Sequence, residues 1–138
     1  MYRETKDPKY LAQAEAIAKF MLDHPALPED KIPYWDFNAP NIPSALRDAS
    51  AGAITSAALF ELCRYTGPTA GKKYFSAAET MLRSLSSPTY RSAPGANGGF
   101  LIQHNVGHLP AGTEVDVSLT YADYYFTEAM IRYKAFQQ

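Results

Sequence analysis

The sequence predicts an all-α chain of two helical hairpins, four main helices joined by long loops, set side by side as an arc of a ring. The first observation is a repeat. Lys9-Tyr10-Leu11-Ala12-Gln13-Ala14-Glu15 returns as Lys73-Tyr74-Phe75-Ser76-Ala77-Ala78-Glu79, and Ile17, Ala18 and Met21 keep the apolar rhythm of Met81, Leu82 and Leu85. Each copy leads through a long loop to a second helical segment opened by Asp-x-Ser, at Asp48-Ala49-Ser50 and Asp116-Val117-Ser118. A unit of about 65 residues is thus used twice, and repeated units usually bury their apolar faces only against neighbours. The second observation is the run of small residues from Ala49 to Ala58, which is crowded on nearly every side of a helix. The order outer, inner, outer, inner follows.

The first helix is expected to start at Asp7 as N-cap, with Pro8 in the first helical position, where a missing N–H costs nothing. Leu11, Ala14, Ile17, Ala18, Met21 and Leu22 form its apolar stripe, and His24-Pro25 ends it, because the residue before proline is pushed out of the helical region. Five prolines, Pro25, Pro28, Pro33, Pro40 and Pro43, exclude a regular interior element over residues 25–47. The second helix runs from about Asp48 to Tyr65 and closes at Gly67-Pro68. The third, 70–86, is amphipathic through Tyr74, Phe75, Ala78, Met81, Leu82 and Leu85. A loop of about 30 residues follows, a length that in a compact domain usually marks function or disorder. Within it, 98–104 reads as a short strand with 114–117 as its mate. The last helix, 117–136, is inner and rich in tyrosine.

Composition narrows the function. The 138 residues, expected to form one domain over 1–138, are 46% hydrophobic and 20% charged with a net charge of −1, which fits a folded protein. No run of Lys or Arg marks a nucleic-acid surface, and no stretch reaches the ~20 apolar residues of a membrane span. The N-terminal residues lack the apolar core of a signal peptide, so a cytoplasmic location is expected, with a periplasmic one open if further sequence precedes Met1. Cys63 is the lone cysteine and reads as a structural thiol.

Several residues are candidates for binding. Trp35, between Tyr34 and Phe37, offers a stacking surface for a sugar ring with Asp36 beside it as acceptor; the same aromatics could instead pin the proline-rich loop to the helices. Asp48 could meet sugar hydroxyls at the ring centre or serve as an N-cap worth ~1 kcal/mol, and Asp116 has the same two readings with the cap favoured. Ser118 and Tyr121 open the last helix from its ring-facing end, Tyr121 with packing as its other role. Arg47 and Arg91 could attract a carboxylate or sulfate on a sugar, with solvated loop cations as the favoured reading. His104 and His108 are spaced by four but sit in a loop without a third ligand, so neither a metal nor another cofactor is expected.

Taken together, Pro33-Tyr34-Trp35-Asp36-Phe37, Arg47-Asp48-Ala49-Ser50-Ala51-Gly52-Ala53-Ile54, Gly98-Gly99-Phe100-Leu101-Ile102-Gln103-His104 and Glu114-Val115-Asp116-Val117-Ser118-Leu119-Thr120-Tyr121-Ala122-Asp123-Tyr124-Tyr125-Phe126-Thr127-Glu128-Ala129 resemble the C-terminal part of the unsaturated glucuronyl hydrolases, glycoside hydrolase family 88. The resemblance implies an (α/α)6 toroid of six hairpins, of which this chain supplies two. It implies as partner an oligosaccharide ending in an unsaturated uronic acid, and as reaction the hydration of its C4=C5 double bond with an Asp as general acid and base. The family's catalytic Asp pair and its uronate-gripping segment precede the matched region, and no counterpart is found here, so no catalytic residue is assigned and the chain alone is expected to be inactive. The alternative is a non-catalytic helical interaction module. In either case the open edges of an arc predict a homo-oligomer.

Overall fold

The computed structural model describes residues 1–138. Its elements in chain order are α1 (Tyr2–Thr5), α2 (Pro8–Leu22), α3 (Ala49–Leu62), α4 (Pro68–Leu85), β1 (Asn105–His108), β2 (Thr113–Val117) and α5 (Thr120–Lys134), with single 3-10 turns at Asn97–Gly99 and Leu109–Ala111. The four main helices are those the sequence predicts. Asp7 caps α2 by accepting the Lys9 N–H, and Asp48 caps α3 by accepting that of Ser50. Gly67-Pro68 does more than close α3: Pro68 is the first residue of α4, where its fixed φ suits the opening turn.

Helix α3 is the centre. Ten of its fourteen residues are buried, and it packs against α5 on one side and α4 on another. Small side chains allow that approach: Ala49, Ala53 and Ala57 of α3 face a core shared with Ala122 and Ala129 of α5 and Ala78 of α4. Ser56, fully buried, donates its hydroxyl to the Ala78 carbonyl at 2.9 Å, so its polar group is satisfied across the α3–α4 seam. Phe60 fills the wider end, its ring centroid 5.5 Å from Phe75 and 5.6 Å from Tyr133. Helix α2 is held more lightly, with Ala18 its one buried residue and Leu11, Ala14 and Leu22 partly buried on the same core. A clasp adds to this, since the Asp23 carboxylate takes both Lys19 and Lys73 at 2.7 Å and joins the end of α2 to α4.

The long loops are ordered by side chains. Ile32, fully buried, presses so close to α3 that a Cβ on Gly52 would stand 2.8 Å from its Cδ1. Asp30 receives Arg47, the Tyr90 hydroxyl (3.0 Å) and the Ile32 N–H (3.1 Å), while its carbonyl accepts Ser84 Oγ–H at 2.8 Å. Arg47 also lies over the Tyr34 ring at 4.9 Å, so it is a half-buried loop clamp and not the solvated cation expected.

The second loop holds an antiparallel hairpin, β1 with β2, in the register Val106 to Val115 and His108 to Thr113, with an irregularity at Asn105. The mate strand falls where the sequence placed it, but its partner is 105–108 rather than 98–104. Residues 98–104 carry Gly98, Gly99 and His104 at positive φ (61°, 91° and 64°), conformations that break a ladder. Asp116 likewise sits in β2 at φ 52° and bonds His104, whereas the residue before α5 is Leu119 with no side-chain cap. The expected cap at Asp116 is therefore wrong, and α5 begins three residues later than predicted.

Candidate functional site

The candidate residues gather where the loops cross the N-terminal ends of α3 and α5. Asp48 Oδ1 accepts the Ser50 N–H at 3.0 Å, the Ser50 hydroxyl at 2.6 Å and, from the other loop, the Val106 N–H at 3.3 Å. The Ala49 N–H donates to the His104 carbonyl at 3.0 Å. One orphan donor of the α3 start, the Ala49 N–H, is thereby satisfied by the residue before β1, while the capping carboxylate of Asp48 accepts from β1 itself, and the two bonds fasten the ribbon.

Asn105 extends the fastening to α5. Fully buried, it donates Nδ2 to the Val117 carbonyl at 2.7 Å and the Ile102 carbonyl at 3.3 Å, while its Oδ1 is buried without a protein donor. One turn into α5, Asp123 accepts the N–H groups of Leu101 (2.8 Å) and Ile102 (2.9 Å). Ser118 donates its hydroxyl to Asn97 Oδ1 at 2.6 Å. The proline-rich strap joins the same end through the Trp35 N–H on the Leu46 carbonyl (3.0 Å) and the Asp48 N–H on the Pro33 carbonyl (2.9 Å).

Trp35 and Asp48 are thus tied together through the strap and the start of α3, whereas Ser118 is bonded to Asn97 of the second loop. Trp35 is half-buried against the small cluster of Tyr34, Ala39 and Ala45, so part of its ring serves to pin the strap. Phe37 pins it too, stacking on His24 of the α2 end at 4.3 Å. Asp36 is exposed and closes its own turn by accepting the Asn38 N–H at 2.7 Å. Tyr121 lies in the first turn of α5, 42% exposed. Beside them stands a pair the residue types alone did not single out: His104 Nδ1 and Asp116 Oδ1 are 2.7 Å apart at the surface. His104, Glu114 and Asp116 all take positive φ without being glycine, and such strain tends to cluster at working surfaces.

This end of the helices offers aromatic area, hydroxyl and carboxylate acceptors and backbone donors, which is equipment for holding a polar ligand. No group of three His, Cys, Asp or Glu is placed to hold a metal ion. Cys63, at the end of α3, donates to the Phe60 carbonyl at 3.2 Å, and burial pushes its thiol pKa up, away from nucleophilic use. No helix is long and apolar enough to cross a membrane. Asp30, Asn105 and Asp123 escaped the sequence reading; each is a loop-to-helix anchor whose partners lie 17 or more positions away or on backbone groups, which leaves no local motif to find.

Known proteins give this geometry a context. No protein-family model matches the chain. It is 48% identical over 131 residues to an unsaturated glucuronyl hydrolase of Formosa agariphila, a match covering 95% of this chain and 32% of that protein. Among solved structures, an unsaturated glucuronyl hydrolase specific for heparin superposes with a TM-score of 0.95 at 46% identity, over 99% of this chain and 36% of the other. The enzyme of Bacillus sp. GL1, responsible for the degradation of glycosaminoglycan, gives 0.86 at 29% identity over 96% and 35%. A Streptococcus agalactiae variant solved with dGlcA-GalNAc6S gives 0.84 at 32% identity over 96% and 35%. The chain therefore spans about a third of the length of the relatives it matches. Along essentially its whole length, this chain is homologous to one third of an unsaturated glucuronyl hydrolase and folds as two helical hairpins of that (α/α)6 toroid.

Proposed function

We propose that the chain is the C-terminal third of an unsaturated glucuronyl hydrolase and supplies part of its sugar-binding rim. In that role Trp35 offers a ring face, Asp36 and the free edge of the Asp48 carboxylate accept sugar hydroxyls, and Ser118 and Tyr121 reach the ligand from the start of α5. The ligand is an oligosaccharide ending in an unsaturated uronic acid, and the reaction of the complete enzyme is addition of water across the C4=C5 double bond. The general acid and base belong to the part of the barrel that this chain does not match. The observation that carries the reading is 48% identity spread over 95% of the chain while only 32% of the relative is covered.

The purified chain is expected to leave the absorbance of an unsaturated disaccharide unchanged, because binding groups without a positioned acid and base do not accelerate the chemical step. Steady loss of that absorbance, proportional to chain concentration, would overturn the assignment. Left alone, the chain is expected to self-associate through its apolar flanks. That property also suits the second reading, a non-catalytic interaction module; sugar binding by the isolated chain, lost on Trp35→Ala, separates the two.

A further inference from the structure

Asn97-Gly98 is the one peptide bond of its kind in the chain. The other asparagines, Asn38, Asn41 and Asn105, precede alanine, isoleucine and valine, whereas Asn97 precedes a glycine and then a second one. The pair forms an exposed 3-10 turn in the second loop, with Asn97 at φ 55° and Gly98 at 61°. Glycine carries no Cβ to shield its peptide nitrogen. A Cβ built on Gly98 would meet nothing nearer than Phe100 Cδ2 at 4.0 Å, so the approach is open on the other side too. The Asn97 amide is held in place at this turn. Its Nδ2 donates to Ser92 Oγ at 2.8 Å and to the Phe100 carbonyl at 3.4 Å, and its Oδ1 accepts the Ser118 hydroxyl at 2.6 Å. The Ser118 donor polarises the Cγ carbonyl and stands where negative charge builds on Oδ1 when a nucleophile attacks.

We propose that Asn97 is a site of spontaneous covalent modification, losing its side-chain amide through a succinimide to give aspartate and isoaspartate. The Gly98 peptide nitrogen gives up its proton to water, and its electron pair forms a bond to Asn97 Cγ. The bond from Cγ to Nδ2 then breaks, and ammonia leaves with the proton returned. Water opens the five-membered ring. Addition at Cγ restores the original main chain and leaves aspartate; addition at the backbone carbonyl carbon routes the main chain through Cγ and leaves isoaspartate. One water is consumed and one ammonia released, with no change of oxidation state. Either product removes the donor that Ser92 and the Phe100 carbonyl now accept, and sets a carboxylate against that carbonyl. Isoaspartate also lengthens by one carbon the turn in which the Phe100 N–H bonds the Asn97 carbonyl at 3.1 Å. The second loop is thereby loosened beside the Ser118 hydroxyl, just before α5. This chemistry is independent of the sugar chemistry proposed above.

The purified 138-residue chain, aged at mildly alkaline pH and digested, is expected to gain the mass of OH in place of NH2 at Asn97 well before Asn38, Asn41 or Asn105. The gain should appear as two separable products. Gly98→Ala, whose methyl obstructs the attacking nitrogen, is expected to slow it about tenfold or more. Because alanine is strained at this positive φ, Asn97→Gln serves as a second variant. It carries the same amide on a longer arm, and is expected to keep its mass and its helical circular dichroism over the same period. In the aged chain, hydrogen exchange at Phe100 is expected to quicken while the middle of α3 stays protected. The proposal falls if Asn97 converts no faster than Asn38 or Asn41, or if Gly98→Ala or Asn97→Gln converts as fast as the parent. Aspartate formed without isoaspartate would overturn the succinimide route, and unchanged exchange at Phe100 after conversion would overturn the loosening of the loop.

Discussion

Gly71 and Asp30 show how single residues set the limits of this fold. Gly71 lies in the first turns of α4, where alanine would ordinarily favour the helix by up to ~1 kcal/mol. Here an added Cβ would stand 2.9 Å from the Cys63 carbonyl oxygen, a backbone atom that cannot swing aside. Gly71→Ala is therefore expected to destabilise by about 1–3 kcal/mol, read as a lowered denaturation midpoint. Asp30 is the hub of the strap, and Asp30→Asn strips the charge that Arg47 and the Tyr90 hydroxyl face. Because the pair is partly open to water, the cost is expected near the lower end for broken ion pairs, about 1–3 kcal/mol. The phenol gives a second readout. Burial, and then the Asp30 charge, push the Tyr90 pKa up to about 12. A raised pKa means the unfolded chain releases this proton first as pH rises, so the associated stability is intact below pH ~10 and drains away between there and ~12. Asp30→Asn should shift that alkaline loss to lower pH in an absorbance-followed titration.

At the scale of elements, the clasp and the ribbon make separate predictions. Asp23 accepts hydrogen bonds from Lys19 and then Lys73, which hold its carboxyl at about 2. A depressed pKa stabilises above the ordinary carboxylate range, and the benefit goes as pH falls through about 2. Lys73→Met is expected to raise the Asp23 value in a carbon-detected NMR titration. For the ribbon, Asp48→Ala removes a helix cap worth ~1 kcal/mol together with the acceptor for Val106. Faster hydrogen exchange at Val106 and Ser50, with the middle of α3 still protected, is the expected signature. The helices were legible because their signals are local: Asp7 and Asp48 are caps, Pro8 opens a helix, and small or apolar residues recur at helical spacing. The ribbon was only half legible. Its turns use His104, Glu114 and Asp116 at positive φ, residue types that do not announce that conformation, and Asp116 is matched to a histidine twelve positions earlier rather than to the helix after it. Arg47 was misread for the same reason, since Asp30 lies 17 positions away.

For the whole molecule, the arc explains why the apolar surface is uneven. Phe20, Tyr124 and Ile131 are all more than 60% exposed while α3 between them is almost wholly enclosed. Tyr124 and Ile131 share one face of α5, and an exposed apolar face favours association with another protein surface. The expected behaviour of the isolated chain is concentration-dependent association on a sizing column, reduced by Ile131→Glu; a monodisperse monomer at high concentration would contradict it. The resemblance of the four motif segments identified the relatives at the outset, because those segments fall on both long loops and on the starts of α3 and α5. What no sequence pattern revealed was the bonding at this end of the helices, whose members are neighbours only after the second loop has folded across the first helix start.

The ribbon that leaves α4, grips the opening turn of α3 and then delivers the chain into α5 also acts as a spacer. Its length and its grip at Asn105 gauge how far the two central rods splay at their entrance. Remodelling that one segment is expected to change the spacing of the two helix starts, with the packed alanine seam below it left intact.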